Sequence, residues 1–203
     1  MQIKKSEIEE TILLCAKDEF VLHGYENASM RTIAKKANTS LGNIYHYFPN
    51  KKAILDNLLQ PIIININDFL QAHIEADIKI TDLSEINEIL EEMDFDEYDL
   101  KSVISKEFVI LMETKDPDYT LEREKLLYVF RTHIADHMRC NDPNNHFVMI
   151  VTKMITDCII HLVRCGECTK NKKREIIDMF AMLCRCVAVH DLAEEEEKSK
   201  KLK

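Results

Sequence analysis

Four hydrogen-bonding side chains of different chemistry crowd into the short segment 41–48. On a helix, Ile44 and Phe48 of this segment share one face, because residues four apart are neighbours. The opposite face and its flanks then carry an amide, two phenols and an imidazole, which belong to Asn43, Tyr45, His46 and Tyr47. A polar face of this kind suits hydrogen bonds to base edges and to phosphate oxygens.

Residues favoured at helix starts and turns predict that this segment is the second of two short helices. Ser29 and Ser40 are N-cap candidates for the two helices. Between them, Asn38 tolerates the left-handed conformation that a sharp turn needs. The pattern is that of a helix-turn-helix. Gly42 removes side-chain bulk in the first turn of the second helix, where that helix would approach the wall of a DNA groove.

Apolar residues at helical spacing predict further helices on both sides of this motif. The first runs from its N-cap Ser6 to His23, with Gly24 as its stop. A helix capped by Asn50 carries an apolar stripe that crosses Pro61 in phase, which predicts a kinked helix rather than two separate ones. Further helical patterns cover about 97–115, 119–139, 145–165 and 171–190.

The composition agrees with an all-α protein. The 203 residues include only three glycines and four prolines, whereas hairpins and sandwiches need frequent turn residues. The sequence has no Gly-rich phosphate loop and no nucleophile elbow, so we expect no enzyme. It also has no apolar run of 18 residues and no signal-peptide core, so we expect a cytoplasmic protein without a membrane partner.

The charge distribution is uneven. The whole chain has a net charge of −9, yet residues 27–52 contain five basic side chains and no acidic one. A short basic segment on an acidic body is typical of a small DNA-reading module joined to a larger domain.

The N-terminal quarter of the chain resembles the DNA-binding domain of the TetR (tetracycline-repressor-like) transcriptional regulators. The similarity covers residues 6–58, with two departures: Asn38 stands where the family usually has a turn glycine, and Thr39 where it usually has an apolar residue. The matching positions are Phe20-x3-Gly24-Tyr25-x3-Ser29-Met30-Arg31-x-Ile33-Ala34-x2-Ala37-x2-Ser40-x-Gly42-x-Ile44-Tyr45-x-Tyr47-Phe48-x2-Lys51.

The resemblance implies a role for each residue of the DNA-binding face. Arg31 and Asn43 are the expected base readers, since arginine suits guanine and asparagine suits adenine. Ser29 and Thr39 are expected to donate hydroxyl groups to phosphates. The backbone contacts are expected from Tyr45, His46, Tyr47 and Lys51, and the set is completed by Ser40, Leu41 and Gly42. The alternative is a three-helix subdomain with a merely solvated polar face.

The resemblance also implies the domain organisation. Residues 1–50 are expected to form the DNA-binding domain, 51–193 a helical ligand-binding and dimerisation domain, and 194–203 a disordered charged tail. The helices 145–165 and 171–190 are apolar on two faces, so each must be buried on two sides. The expected homodimer interface contains Cys158, Ile159, Leu162, Phe180, Leu183, Cys184 and Val187. A monomer that buries both faces internally is the alternative.

Cysteine and histidine near the end of the 145–165 helix leave a second function open. Cys158, His161 and Cys165 lie on one helical stripe and Cys168 follows, so a metal- or thiol-based sensor is the alternative to a DNA-binding regulator. The apolar character of the stripe and the missing second half of a ligand set favour reduced core thiols instead. We therefore expect no bound metal and no cofactor.

The effector site is the least defined feature of the sequence. Phe108, Met112, Phe130 and His133 are of the types that line a mostly apolar cavity, and an ordinary core explains them equally well. Together the patterns predict a homodimeric regulator, in particular a repressor, that binds a palindromic double-stranded operator and is released by an unknown small-molecule effector. An interaction protein that has lost operator binding is a third interpretation, which the intact polar face of segment 41–48 disfavours.

Overall fold

The protein is all-helical wherever its structure is described, as the composition predicted. The computed structural model describes residues 5–75, 104–137 and 140–165 and residue 182. Within these residues there are seven α-helices and no strand. The helices are α1 (Lys5–His23), α2 (Met30–Lys36), α3 (Leu41–Tyr47), α4 (Lys51–Glu75), α5 (Lys106–Glu113), α6 (Pro117–His137) and α7 (His146–Arg164). The predicted helix 171–190 and the charged tail lie outside the described residues.

The chain divides into two compact units. The first comprises Met1–Asn67 and Lys101–Glu124, and the second comprises Asp68–Leu100 and Lys125–Lys203. The first unit therefore joins the helix-turn-helix to α5 and to the start of α6. The domain limits drawn from the sequence, at residues 50 and 193, stay predictions.

The core of the first unit is formed by apolar residues at the helical spacing seen in the sequence. Helix α1 packs against both α2 and α5. Each fully buried large side chain stabilises the fold by about 1.5–3 kcal/mol. The side chains with at most 2% exposure include Ile12, Phe20, Ile33, Ile44, Phe48, Ile54, Leu55, Leu59, Val109 and Leu111.

The caps and turns of the helix-turn-helix are those predicted. The Ser29 hydroxyl oxygen accepts from the Thr32 N–H at 3.4 Å, and the Ser40 hydroxyl oxygen caps α3. Asn38 has a φ of 49°, and Gly24 after α1 has a φ of 76°. Both angles lie in the left-handed region that these residue types tolerate. The turn geometry therefore follows from local sequence.

Two predicted helices differ in their limits from those observed, and a third is confirmed as continuous. Ser6 lies inside α1 rather than at its N-cap, because Lys5 is already helical. Ser105 is the N-cap of α5 and Thr114 its C-cap, so the predicted single helix 97–115 is wrong at its start. Helix α4 continues through the exposed Pro61, and the predicted continuity is thus confirmed.

Helix α7 of the second unit is apolar on two sides. Its inward face buries Val148, Val151, Thr152, Ile155 and Ile159. Its outward side leaves Met149, Ile150 and Met154 between 41% and 48% exposed. Among the described helices, this one alone is long and apolar enough to cross a membrane by length and composition. The Lys153–Asp157 ion pair, at 2.9 Å, lies on its exposed side.

Candidate nucleic-acid interface

The outer face of α3 presents the polar side chains that the sequence singled out. Tyr45 is 47% exposed, and His46 is exposed beside it. Tyr47 is half-buried, and its ring meets the His46 ring edge-on with centroids 5.6 Å apart. Ile44 and Phe48 turn the opposite face into the core. The helix therefore offers a phenol, an imidazole and a second phenol along one accessible edge.

Asn43 is held at both its backbone and its side chain. Its backbone N–H donates to the Ser40 hydroxyl oxygen at 3.0 Å. Its side-chain Nδ2 donates to the Thr39 hydroxyl oxygen at 2.8 Å. Because Ser40 and Thr39 accept through oxygen lone pairs, their hydroxyl protons stay free to donate to a phosphate. Thr39, a predicted phosphate donor, thus lies in one small cluster with Ser40 and with Asn43, a predicted base reader, and Leu41 beside them is half-buried.

The other side of the candidate interface comes from α2. Arg31 is exposed on this helix, as is Lys35 in its last turn. Ser29, at the N-cap of α2, is half-buried and accepts from a backbone N–H, so its hydroxyl proton is available as well. These residues of α2 are accessible at the surface, and their contacts with DNA stay predictions.

Gly42 provides a direct test of whether α3 closely approaches the wall of a DNA groove. A Cβ atom built at this position meets only the Ser40 Oγ, at 3.9 Å, so the fold itself has room for alanine. Alanine also has a higher helix propensity than glycine, by up to about 1 kcal/mol. We expect Gly42→Ala to leave the melting temperature unchanged or higher and to weaken DNA binding, as measured by calorimetry and by fluorescence anisotropy. Undiminished DNA affinity in this variant would contradict a close approach at Gly42.

Lys51 makes contacts that its sequence position did not reveal. Its Nζ donates to the carbonyl oxygens of Tyr25, Glu26 and Ala28 at 2.6, 3.0 and 3.2 Å. It also lies 4.7 Å from the centroid of the Tyr25 ring. Burial lowers the pKa of Lys51, and the charge of Glu26 opposes that shift. Lys51 therefore holds the α1–α2 loop in place, and its predicted phosphate contact stays a prediction.

A second anchor of the α1–α2 loop is Glu26. Its Oε1 accepts from the Lys115 N–H at 2.6 Å and from the Thr114 hydroxyl at 3.2 Å. Burial would raise the pKa of Glu26, but these hydrogen bonds outweigh it and lower the pKa. The connection between α5 and α6 is thereby attached to the loop that precedes α2.

A neighbouring cluster ties the start of α4 to the start of α6. Lys52 Nζ donates to Asp56 at 2.6 Å and lies 4.4 Å from the centroid of the Tyr119 ring. The Tyr119 hydroxyl donates to the same Asp56 oxygen at 2.8 Å. Burial and the Asp56 carboxylate raise the pKa of Tyr119. Lys52 and Asp56 are four residues apart on α4, whereas Tyr119 is 63 residues from Asp56, and no local pattern in the sequence signals the contacts of Tyr119.

A buried carboxylate connects α1 to both ends of α2. Glu19 is 2% exposed, and its Oε2 accepts from Lys36 Nζ at 2.7 Å. Its Oε1 accepts from the backbone N–H of Ser29 at 3.5 Å. Burial would raise the pKa of Glu19, but the Lys36 and Ser29 hydrogen bonds outweigh it and lower the pKa. Glu19 thus helps to position α2, a role that the sequence did not predict.

The predicted dimer and pocket residues are only partly within the described chain. Cys158 and Leu162 are half-buried on α7, whereas Ile159 is 5% exposed and already packs inside its own chain. Phe108 is buried and Met112 half-buried in the first unit, and Phe130 and His133 are half-buried in the second. Phe180, Leu183, Cys184 and Val187 lie outside the described residues.

The cysteines differ from the predicted core thiols. The four described cysteines are free, but three are half-buried and Cys165 is exposed. Cys165 Sγ lies 3.4 Å from the Nε2 of His161, and Cys168 lies outside the described residues. Within the described part of the chain, no group of three or more His, Cys, Asp or Glu side chains could hold a metal ion.

Comparison with known proteins agrees with this geometry. Residues 12–58 match the family model described as bacterial regulatory proteins, tetR family. A TetR-like transcriptional regulator from Rhodococcus sp. RHA1 has a similar structure, with a TM-score of 0.56, 16% identity and coverage of 95% of this chain and 99% of that one. A member of the TetR transcriptional regulator family from Streptomyces coelicolor A3 is also similar, with a TM-score of 0.57 and 17% identity. The match covers 85% of this chain and 88% of that one.

Identities this low show the fold alone, and no curated protein matches the chain. The family model covers the candidate interface itself, from Ile12 in α1 to Leu58 in α4. Residues 12–58 therefore match the DNA-binding domain of the tetR family, and the fold is similar to that of TetR-like transcriptional regulators.

Proposed function

We propose that the protein is a transcriptional repressor that binds a palindromic operator as a homodimer and leaves it when a small-molecule effector binds. The observation that carries this proposal is the outer face of α3, where Asn43, Tyr45 and His46 are accessible beside two hydroxyl groups with protons to donate. This surface matches the chemistry of a major groove, with base edges in its floor and phosphates along its rims.

Each half of the operator is read by one copy of this surface. Asn43 on α3 and Arg31 on α2 contact bases, and Ser29, Thr39 and the two tyrosines contact phosphates. Lys35 adds an exposed positive charge at the end of α2. With several phosphate contacts in each protomer, the affinity falls steeply as salt rises.

The homodimer rests on the outward side of α7. Ile150 and Met154 are exposed there one turn apart, next to the half-buried Cys158. An apolar strip of this kind is stabilised when a second copy covers it. A two-fold dimer presents two copies of α3 to successive major grooves, so the half-site centres lie about 34–36 Å apart or a multiple of that distance.

Release is coupled to the DNA-binding motif through α4 and the α5–α6 connection. Helix α4 runs without interruption from Lys51 to Glu75, and Glu26 attaches the α1–α2 loop to Lys115. An effector that favours a different bend of α4 at Pro61 changes the separation of the two α3 helices. A coupling free energy of about 1–3 kcal/mol is enough for derepression. We infer a cytoplasmic protein that needs no cofactor.

Selection of bound sequences from a random duplex library tests the proposal. We expect the wild type to select an inverted repeat, and Asn43→Ala to weaken binding to it by about 1–3 kcal/mol and to relax the preference at one base pair per half-site. Anisotropy titrations against the selected duplex and its single-base variants measure both effects. Asn57→Ala is the matched control, because Asn57 is exposed on α4 and its amide donates to the Ala53 carbonyl. Failure of the wild type to enrich any sequence would refute operator binding.

A further inference from the structure

The geometry of the α2–α3 turn assigns a second role to Thr39. We propose that Thr39 is a positioning residue that orients the Asn43 amide and so selects adenine over guanine at one base pair of each half-site. This inference rests on the proposed function, since it requires that α3 reads bases.

The amide of Asn43 is held by a side chain that precedes α3. Nδ2 of Asn43 donates to Oγ1 of Thr39 at 2.8 Å, a short bond between two half-buried side chains. The backbone N–H of Asn43 is held independently, by the Ser40 hydroxyl oxygen at 3.0 Å. With both its backbone and its amide fixed, Asn43 reaches the DNA in one orientation and loses little conformational entropy on binding.

The orientation of the amide decides which base fits. An asparagine amide has two N–H donors and one carbonyl acceptor. When one N–H is given to Thr39, one donor and the Oδ1 acceptor remain. Adenine presents the complementary pair in the major groove, an N7 acceptor and an N6 donor. Guanine presents two acceptors, N7 and O6, and would need both N–H groups of the amide.

Thr39 can hold Asn43 and contact a phosphate at the same time. Its oxygen accepts the Asn43 N–H, and its own hydroxyl proton is still available to a phosphate oxygen. A phosphate contact fixes the hydroxyl as a donor toward the DNA, which leaves its lone pairs for Asn43. Binding to the backbone thus reinforces the amide orientation that favours adenine.

The test compares Thr39→Val, which keeps the shape of the side chain and removes the hydroxyl, with Thr39→Ser, which keeps the hydroxyl. The wild-type half-site is first selected from a random duplex library, and affinities are then measured for all four bases at the position that Asn43→Ala relaxes. We expect adenine to be preferred over guanine by about 5- to 100-fold in the wild type and in Thr39→Ser. In Thr39→Val this ratio should fall to about twofold or less.

The ratio separates positioning from a simple phosphate contact. If Thr39 only contacts a phosphate, Thr39→Val weakens binding to all four duplexes equally and leaves the adenine-to-guanine ratio unchanged. That result would overturn the proposal. A wild-type preference for guanine would overturn it as well. In the free protein, NMR should show slowed exchange of one Asn43 amide proton in the wild type and Thr39→Ser but not in Thr39→Val. A wild type that selects no sequence fails earlier, as a failure of the proposed function itself, and the inference falls with it.

Discussion

Ile150→Glu combined with Met154→Glu is expected to abolish specific operator binding while leaving the protomer folded. Both side chains are more than 40% exposed on α7, so glutamate at these positions meets water in the isolated chain. In a dimer the same carboxylates would be buried without partners, which costs several kcal/mol per charge. A monomer that contacts only one half-site retains only weak binding. Because specific affinities exceed non-specific ones by at least about 1000-fold, the expected loss of affinity is large. Sedimentation equilibrium and anisotropy titrations measure the two consequences.

Leu14→Glu is the matched control for this experiment. Leu14 is 55% exposed on α1, so the change adds one of the two negative charges of the α7 variant, at an exposed apolar residue of another helix. We expect this variant to stay dimeric and to bind the operator. A double variant on α7 that remains dimeric at micromolar concentration would place the contact between copies elsewhere. Ile159 is unsuitable for the purpose, because its side chain is already buried within the chain and glutamate there would disrupt the protomer.

The parts of the fold that depend on neighbouring residues were predictable from the sequence. Ser29 and Ser40 cap helices because a hydroxyl can accept from an N–H three residues later, whatever the rest of the chain does. Asn38 takes a positive φ for an equally local reason. The polar outer face of α3 followed from helical periodicity alone. These local rules specify the identity and orientation of the candidate interface.

The contacts that hold the interface in place were not predictable, because they join residues distant in the chain. Glu19 and Lys36 are 17 positions apart, and Glu26 and Lys115 are 89 apart. A charged residue in the sequence carries no sign of its partner, so Lys51 was interpreted from its position as a phosphate ligand. In the structure its ammonium group donates to three carbonyl oxygens of the α1–α2 loop, and its phosphate contact stays a prediction. The sequence likewise showed that α7 is apolar on two faces without showing that Ile159 belongs to the inward one.

Removal of the Lys36 ammonium group is expected to destabilise the helix-turn-helix. Glu19 is 2% exposed, and Lys36→Met removes the shortest hydrogen bond of its carboxylate, the one of 2.7 Å. Hydrogen bonds to charged groups contribute about 1.5–3 kcal/mol, and the 39% exposure of Lys36 favours the lower end of that range. Denaturant unfolding followed by circular dichroism measures the loss. Lys35→Met, a change at an exposed neighbour on the same helix, is expected to have little effect on stability.

Replacement of both partners should restore the stability that the single change removes. Glu19→Leu/Lys36→Met leaves no buried charge, and apolar replacements of buried ion pairs are often neutral or stabilising. The double variant should also lose part of the acid sensitivity of the wild type. Because the pKa of Glu19 is lowered in the folded state, its carboxylate stabilises the fold above the unfolded value of about 4.3. That contribution disappears as the pH falls through the folded pKa, so the wild type should lose more unfolding free energy on acidification than the double variant. A double variant as unstable as Lys36→Met at pH 7 would instead mean that Glu19 holds α2 through its Ser29 hydrogen bond more than through Lys36.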